Sequence, residues 1–140
     1  MADTFTIEIA TPDRLLAKEE AVRAQVPAQL GYIGVLPDHA PLLACLGIGA
    51  LTYTTPDDHR YAIAIHSGFL EILNNHVRVL TYIAEKGHEI DVTRAEKALK
   101  QAQDEMINPE LGIDIASALI AARRAAARIE TARKATTNEE

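Results

Sequence analysis

The spacing of apolar residues changes from two to nearly four around Glu85-Lys86-Gly87-His88, and no single type of secondary structure satisfies both halves. Upstream, Phe5, Ile7 and Ile9 alternate with Thr6, Glu8 and Ala10, and Val22, Ala24 and Val26 alternate with Arg23 and Gln25. Tyr61, Ile63 and Ile65 keep the same beat, as do Val77, Val79 and Thr81. Successive side chains of a strand point to opposite faces, so each segment reads as a strand with one buried face. Turn chemistry separates them: Thr11-Pro12-Asp13, the stretch 27–31, Thr55-Pro56-Asp57-Asp58 and Asn74-Asn75. Two asparagines in a row tolerate positive φ, which predicts a tight hairpin between Phe69-Leu70-Glu71-Ile72 and Val77-Arg78-Val79. Short strands at close spacing predict a β-sandwich or flattened barrel over residues 1–86.

Beyond Asp91, Ala95, Ala98, Leu99, Ala102 and Met106 fall on one helical face, with Lys97, Lys100 and Asp104 opposite. Asn108-Pro109-Glu110-Leu111-Gly112 interrupts the run, and Ile115, Leu119, Ala122, Ala126 and Ile129 make a second stripe. The two stripes predict an antiparallel two-helix hairpin over residues 87–140, its alanines allowing close approach of the axes. A seam of alanines buries little apolar area, so at roughly 25 cal/mol per Å² its docking is worth on the order of a few kcal/mol. A hairpin held that weakly can open.

The formal net charge of -6 argues against a general nucleic-acid binder, because neutralising phosphates needs surplus Lys and Arg. Cys45, the lone cysteine, cannot form an internal disulfide, which fits a reducing compartment. Its neighbours Leu42, Leu43, Ala44 and Leu46 make a small buried hydrophobe the expectation, against a reactive thiol. The opening Met1-Ala2-Asp3-Thr4 lacks the basic and apolar regions of a secretory signal. No apolar run approaches the roughly 18–20 residues of a membrane helix, so membrane association is expected only through a partner.

Motifs for catalysis are weak. His39, His59, His66, His76 and His88 include no pair at the helical metal-binding spacing, and no metal site is expected, although His66 and His76 could face each other across a sheet. Ser67-Gly68 lacks the Gly-x-Ser-x-Gly frame, and Gly47-Ile48-Gly49 is too short for a dinucleotide fingerprint. The most unusual stretch is Gly31-Tyr32-Ile33-Gly34-Val35-Leu36-Pro37-Asp38-His39-Ala40-Pro41-Leu42-Leu43. Its paired prolines forbid a helix and stiffen a loop that presents Asp38 and His39, either as a structural β-corner or as a contact surface.

With that loop, Ser67-Gly68-Phe69-Leu70-Glu71-Ile72 and Ile90-Asp91-Val92-Thr93-Arg94-Ala95, the chain resembles the epsilon subunits of F-type ATP synthases, called delta in mitochondria. Order and spacing agree across essentially the whole chain. The resemblance implies a non-catalytic rotor-stalk subunit with an N-terminal β-sandwich bound to the gamma subunit and seated on the c-ring. It helps transmit torque between ion flow and ATP synthesis. Tyr32, Asp38 and His39 would face the polar loops of the c-ring. Tyr32 stands where some relatives carry an acid, and Ala28 and Asp38 stand where glycine is frequent.

For the hairpin, the resemblance implies two states, folded against the sandwich or extended beside gamma, the latter restraining ATP hydrolysis. Arg123, Arg124 and Arg128 would then meet acidic segments of the catalytic β subunits, as closely spaced guanidinium groups suit carboxylates. The plainer reading of these arginines is a solvated helix face with a favourable C-terminal charge bias. Ile90, Asp91, Arg94 and Ala95 match a motif that binds ATP as a regulatory ligand in some relatives. The plainer reading of Asp91 is a helix N-cap. No cofactor is required on this view. The place implied is peripheral, on the cytoplasmic face of the bacterial plasma (inner) membrane. Two other readings are a free-standing ATP-sensing module that uses the hairpin as a clamp, and a small hydrolase using His39 or His66.

Overall fold

The computed structural model describes residues 2–110 and 112–136. Leu111 and residues 137–140, which the sequence reading assigns to the hairpin, lie outside the described residues. Seven strands come first: β1 (Phe5–Ala10), β2 (Leu15–Ala21), β3 (Arg23–Ala28), β4 (Gly31–Val35), β5 (Leu42–Thr54), β6 (Arg60–Leu73) and β7 (His76–Lys86). They form one hydrogen-bonded sheet in the order β2-β1-β7-β6-β5-β3-β4. β5, β6 and β7 make a long antiparallel meander, and β1 inserts beside β7 in parallel. Phe5, Ile9 and Leu16 from one side of the sheet share a single core with Val26 and Val35 from the other. A sheet whose two margins meet in one core must curl over on itself, which is the sandwich or flattened barrel expected of the alternation. Asn74 and Asn75 take φ of 50° and 58° and close the β6–β7 hairpin, as the paired asparagines predict.

The two-residue beat does not run unbroken through the meander. Leu70 and Ile72 face the core in one half of β6, whereas Ile63 and Ile65 face it in the other, a shift of one residue in phase. Ser67 and Gly68, at φ of 66° and 127°, supply the bulge that makes the shift. β5 changes phase between Leu46 and Leu51, and β7 between Val79 and Ala84. The Thr81 hydroxyl ties the bulge across to β7 by donating to the Ser67 carbonyl at 2.6 Å. A Cβ on Gly68 would lie 2.0 Å from the Leu80 carbonyl oxygen, so no larger residue fits there. Beyond the bulge Ala50, Ala62, Ala64 and His66, whose side chains point away from that core, are buried as well. A second layer covers them.

That layer is helical. After a single 3-10 turn at Gly87–Glu89, α1 (Val92–Ile107) and α2 (Ile115–Thr136) fold back as a hairpin. Asp91 caps α1 by accepting the Arg94 amide at 3.1 Å, and Asp114 caps α2 by accepting from Ala116 and Ser117. α2 packs on β5 and β6, and α1 packs chiefly on α2. α2 therefore carries two buried faces. Ala118, Ala122, Ala125 and Ala132 share one, and Arg124, Ala127, Arg128 and Thr131 follow at helical spacing on the other, turned toward the sheet. The stripe of Ile115, Leu119, Ala122, Ala126 and Ile129 read from sequence is thus rotated from both. Ile115 and Leu119 are half exposed because small residues, rather than large apolar ones, mark close helix contacts. Gly87 lies tight against α2: a Cβ there would meet the Ala135 Cβ at 2.5 Å and the Thr131 carbonyl oxygen at 2.9 Å.

Two other expectations fail. Cys45 is exposed, because it holds the outward phase of β5 between the inward Ala44 and Leu46 and lies opposite Phe69. His66 and His76 do not face each other: His66 pairs with Ile83 and His76 with Leu73. His76 bonds instead to Glu8 at 3.0 Å.

Candidate functional site

The seam between α2 and the sheet concentrates the charged groups that the hairpin buries. Glu85, on the outward phase of β7, accepts from the Arg128 Nε at 2.7 Å. Their side chains remain about a third exposed. The imidazole Nε2 of His66 stands 3.7 Å from the same Glu85 oxygen, too far for a hydrogen bond, and both ring nitrogens are buried without a partner. Burial first, then the nearby Arg128 charge, pushes His66 down to about 4, with Glu85 pulling the other way. The Arg124 Nε is also buried without a partner. Arg124 and Arg128 therefore do not stand on a solvated face in this conformation. Arg123 is exposed, at the mouth of a cleft of about 610 Å³ between α2 and the β3–β5 region.

Tyr32 lines that cleft from β4. Its hydroxyl accepts the Ala50 amide at 3.2 Å and lies over Gly49, where a Cβ would come within 2.6 Å of the oxygen. Beyond the far end of β4, Asp38 adopts φ of 64° and is clasped by Asn75: the Asp38 amide donates to the Asn75 Oδ1 at 2.7 Å and the Asn75 Nδ2 donates back at 2.9 Å. The Asn75 Nδ2 donation, with that of the Ala2 amide, holds the Asp38 carboxyl below the usual carboxylate range. His39 places its Nδ1 2.7 Å from the Ala40 carbonyl. The proline loop is thus pinned to the β6–β7 hairpin, while Tyr32 belongs to the cleft under α2. No described contact joins Tyr32 to Asp38 or His39.

Of the proposed nucleotide motif, Asp91 is engaged as the α1 cap, Ala95 is buried in the hairpin and Arg94 is exposed. No described hydrogen bond or ion pair joins Arg94 to Arg124, Arg128 or Glu85. Among the described residues no group of three or more His, Cys, Asp or Glu side chains could hold a metal ion. No described helix is long and apolar enough to cross a membrane.

A different surface was not singled out in the sequence. Across β5, β6 and β7, Cys45, Phe69 and Leu80 lie in one register row on the outward phase, with Leu43 and Tyr82 nearby. Leu43, Phe69, Leu80 and Tyr82 are 72%, 51%, 50% and 69% exposed. Large apolar side chains on an outward phase were a legible signal, since a solvated strand face calls for polar residues there.

Comparison with known proteins resolves what this two-part body is. Residues 4–87 match the family model described as ATP synthase, Delta/Epsilon chain, beta-sandwich domain, and residues 88–133 match its long alpha-helix domain. The chain belongs to the ATP synthase delta/epsilon family. It is 54% identical over 134 residues to the ATP synthase epsilon chain of Solibacter usitatus, covering 96% of this chain and 99% of that one. It is 40% identical over 131 residues to the epsilon chain of Syntrophomonas wolfei, covering 94% and 96%. The fold matches a chain in the Euglena gracilis mitochondrial ATP synthase OSCP/F1/c-ring assembly, with a TM-score of 0.83 at 21% identity over 95% of this chain and 83% of that one. A chain of the Tetrahymena thermophila mitochondrial ATP synthase central stalk and c-ring matches at a TM-score of 0.53 and 14% identity, over 94% and 95%. Membership in this family makes the chain a non-catalytic subunit of the synthase, so the reading as a small hydrolase using His39 or His66 is set aside.

Proposed function

We propose that the chain is a central-stalk rotor subunit that couples transmembrane ion flow to ATP synthesis and restrains ATP hydrolysis through its C-terminal helices. The observation that carries the regulatory part is the seam itself. α2 rests on alanines and an ion pair whose side chains are about a third exposed, a contact that large apolar side chains would have made far stronger. The body beneath it keeps its own complete core. Opening the hairpin then leaves the body folded and releases Arg124 and Arg128, beside the already exposed Arg123, for carboxylates of the catalytic β subunits.

The outward apolar row around Phe69 and Leu80 supports a firm protein contact, which we assign to gamma. Asp38, clasped by Asn75, and the adjacent His39 are assigned with Tyr32 to the c-ring. ATP binding at Ile90, Asp91, Arg94 and Ala95 would favour the folded hairpin as a ligand with differential affinity. Attachment to the membrane, at its cytoplasmic face, then runs through the complex.

The test is a chain ending after residue 87, reconstituted with the remaining synthase subunits. It should assemble and show faster ATP hydrolysis than the full chain. Unchanged hydrolysis would remove the regulatory role. Phe69→Asp should separately reduce capture of gamma at least tenfold while leaving the circular dichroism of the free chain intact. Undiminished capture would move the gamma contact elsewhere.

A further inference from the structure

Of the charged groups facing His66, Glu85 favours a second proton on its ring, but burial and the arginines of α2 outweigh it while the helix is docked. β7 contributes Glu85, whose near oxygen is already engaged by Arg128. α2 contributes Arg128 and, at the same spot, Arg124 with its unpartnered Nε. β5, which pairs with β6 through Ile48 opposite His66, contains no charged residue at all. The nearest charges on β6 itself are at its two ends, Arg60 and Glu71. A protonated His66 would therefore set a third cation beside one carboxylate, in a place where neither ring nitrogen has an acceptor. With α2 lifted, the same ring faces solvent, loses both arginines and keeps Glu85, its neighbour within the sheet.

From this geometry we infer that His66 makes docking of the α2 helix on the β-body sensitive to pH, acid favouring release of the hairpin. The sign follows from linkage. The docked state holds the imidazole neutral, down to about 4. The released state returns it to at least the ordinary value of about 6.5. Docking is then at full strength above the ordinary histidine range and weakens as pH falls through it, the released form taking up the proton. Between pH 7.5 and 5.5 the docking constant drops about tenfold. Under stronger acid the loss levels off once the docked ring titrates too. The inference concerns the isolated chain and does not depend on the hairpin's role in hydrolysis. In the assembled synthase it would act as a bias toward the extended helices when the surrounding medium acidifies.

The experiment uses the full chain with donor and acceptor dyes on the native Cys45 and on an introduced Gln103→Cys, both exposed. Energy transfer reports the docked fraction from pH 5 to 8. The expected result is about a tenfold rise in the release constant from pH 7.5 to 5.5, with protection of β1 and β2 amides against hydrogen exchange unchanged. His66→Gln and His66→Leu should both flatten the response, leaving whatever His39, His59, His76 and His88 contribute. Either variant suffices if the other misfolds. The same pH response with His66 replaced, or no response in the unaltered chain, overturns the inference.

Discussion

Gly87→Ala is a wedge aimed at the hairpin alone. Gly87 does not occupy the left-handed region, so an alanine there costs no backbone strain, and any effect must come through space. The added Cβ would start 2.5 Å from the Ala135 Cβ and 2.9 Å from the Thr131 carbonyl oxygen, both on α2, and 3.3 Å from the Ala62 carbonyl oxygen on β6. Carbon contacts settle near 3.5–4.0 Å, so α2 must retreat by about 1 Å at its C-terminal end. Overpacking of this kind costs about 1–3 kcal/mol. At 1.4 kcal/mol per tenfold, the undocked population rises roughly 5- to 150-fold. Hydrogen exchange resolved by peptide reads it directly: amides of β5 and β6 beneath α2 and those of α2 should lose protection together, while β1 and β2 keep theirs. If α2 retains full protection and the strands lose it instead, the helix is the stiffer partner and the weak-seam argument fails. In the reconstituted synthase the same substitution should lower ATP hydrolysis, since it populates the extended form.

Gly68→Ala should cost the body about 2–4 kcal/mol, from strain at positive φ and the clash with the Leu80 carbonyl, seen as a lower urea midpoint. Gly34→Ala, with nothing within 4 Å of its Cβ, is the control and should shift stability by less than about 0.5 kcal/mol. Asp91→Ala removes the α1 cap and should cost about 0.5–2 kcal/mol, fraying the first turn in a helix-resolved exchange measurement. Arg94→Ala keeps that cap, because the bond comes from the backbone amide. It should abolish any heat of ATP binding without loss of helicity, and ATP binding that survives it would relocate the nucleotide site. Arg128→Ala should loosen α2 by about 1 kcal/mol, or roughly fivefold in exchange, whereas Arg123→Ala, exposed at the cleft mouth, should leave docking unchanged. Equal effects of the two would refute the special place given to the Glu85 pair.

The sequence alone carried much of what depends on near neighbours, though not the bulge at Ser67-Gly68. The switch of period separated the strands from the helices because strand and helix place side chains at different repeats. Paired asparagines predicted the β6–β7 turn, and Asp91 was legible as a cap, since both are satisfied within a few residues. The stretch around Asp38 was recognisable as a stiff loop from its prolines, although its clasp by the distant Asn75 was not. What only the tertiary structure decided is which second face becomes buried. The bulge at Ser67-Gly68 turns Ala62, Ala64 and His66 outward, and α2 arrives from a distant part of the chain to cover them. Nothing in the sequence pairs His66 with Glu85. They become a charged seam only when Arg128, 43 residues beyond Glu85, is laid across them. Periodicity tells each residue which way to face; it takes a packed layer to decide whether water or another helix waits there.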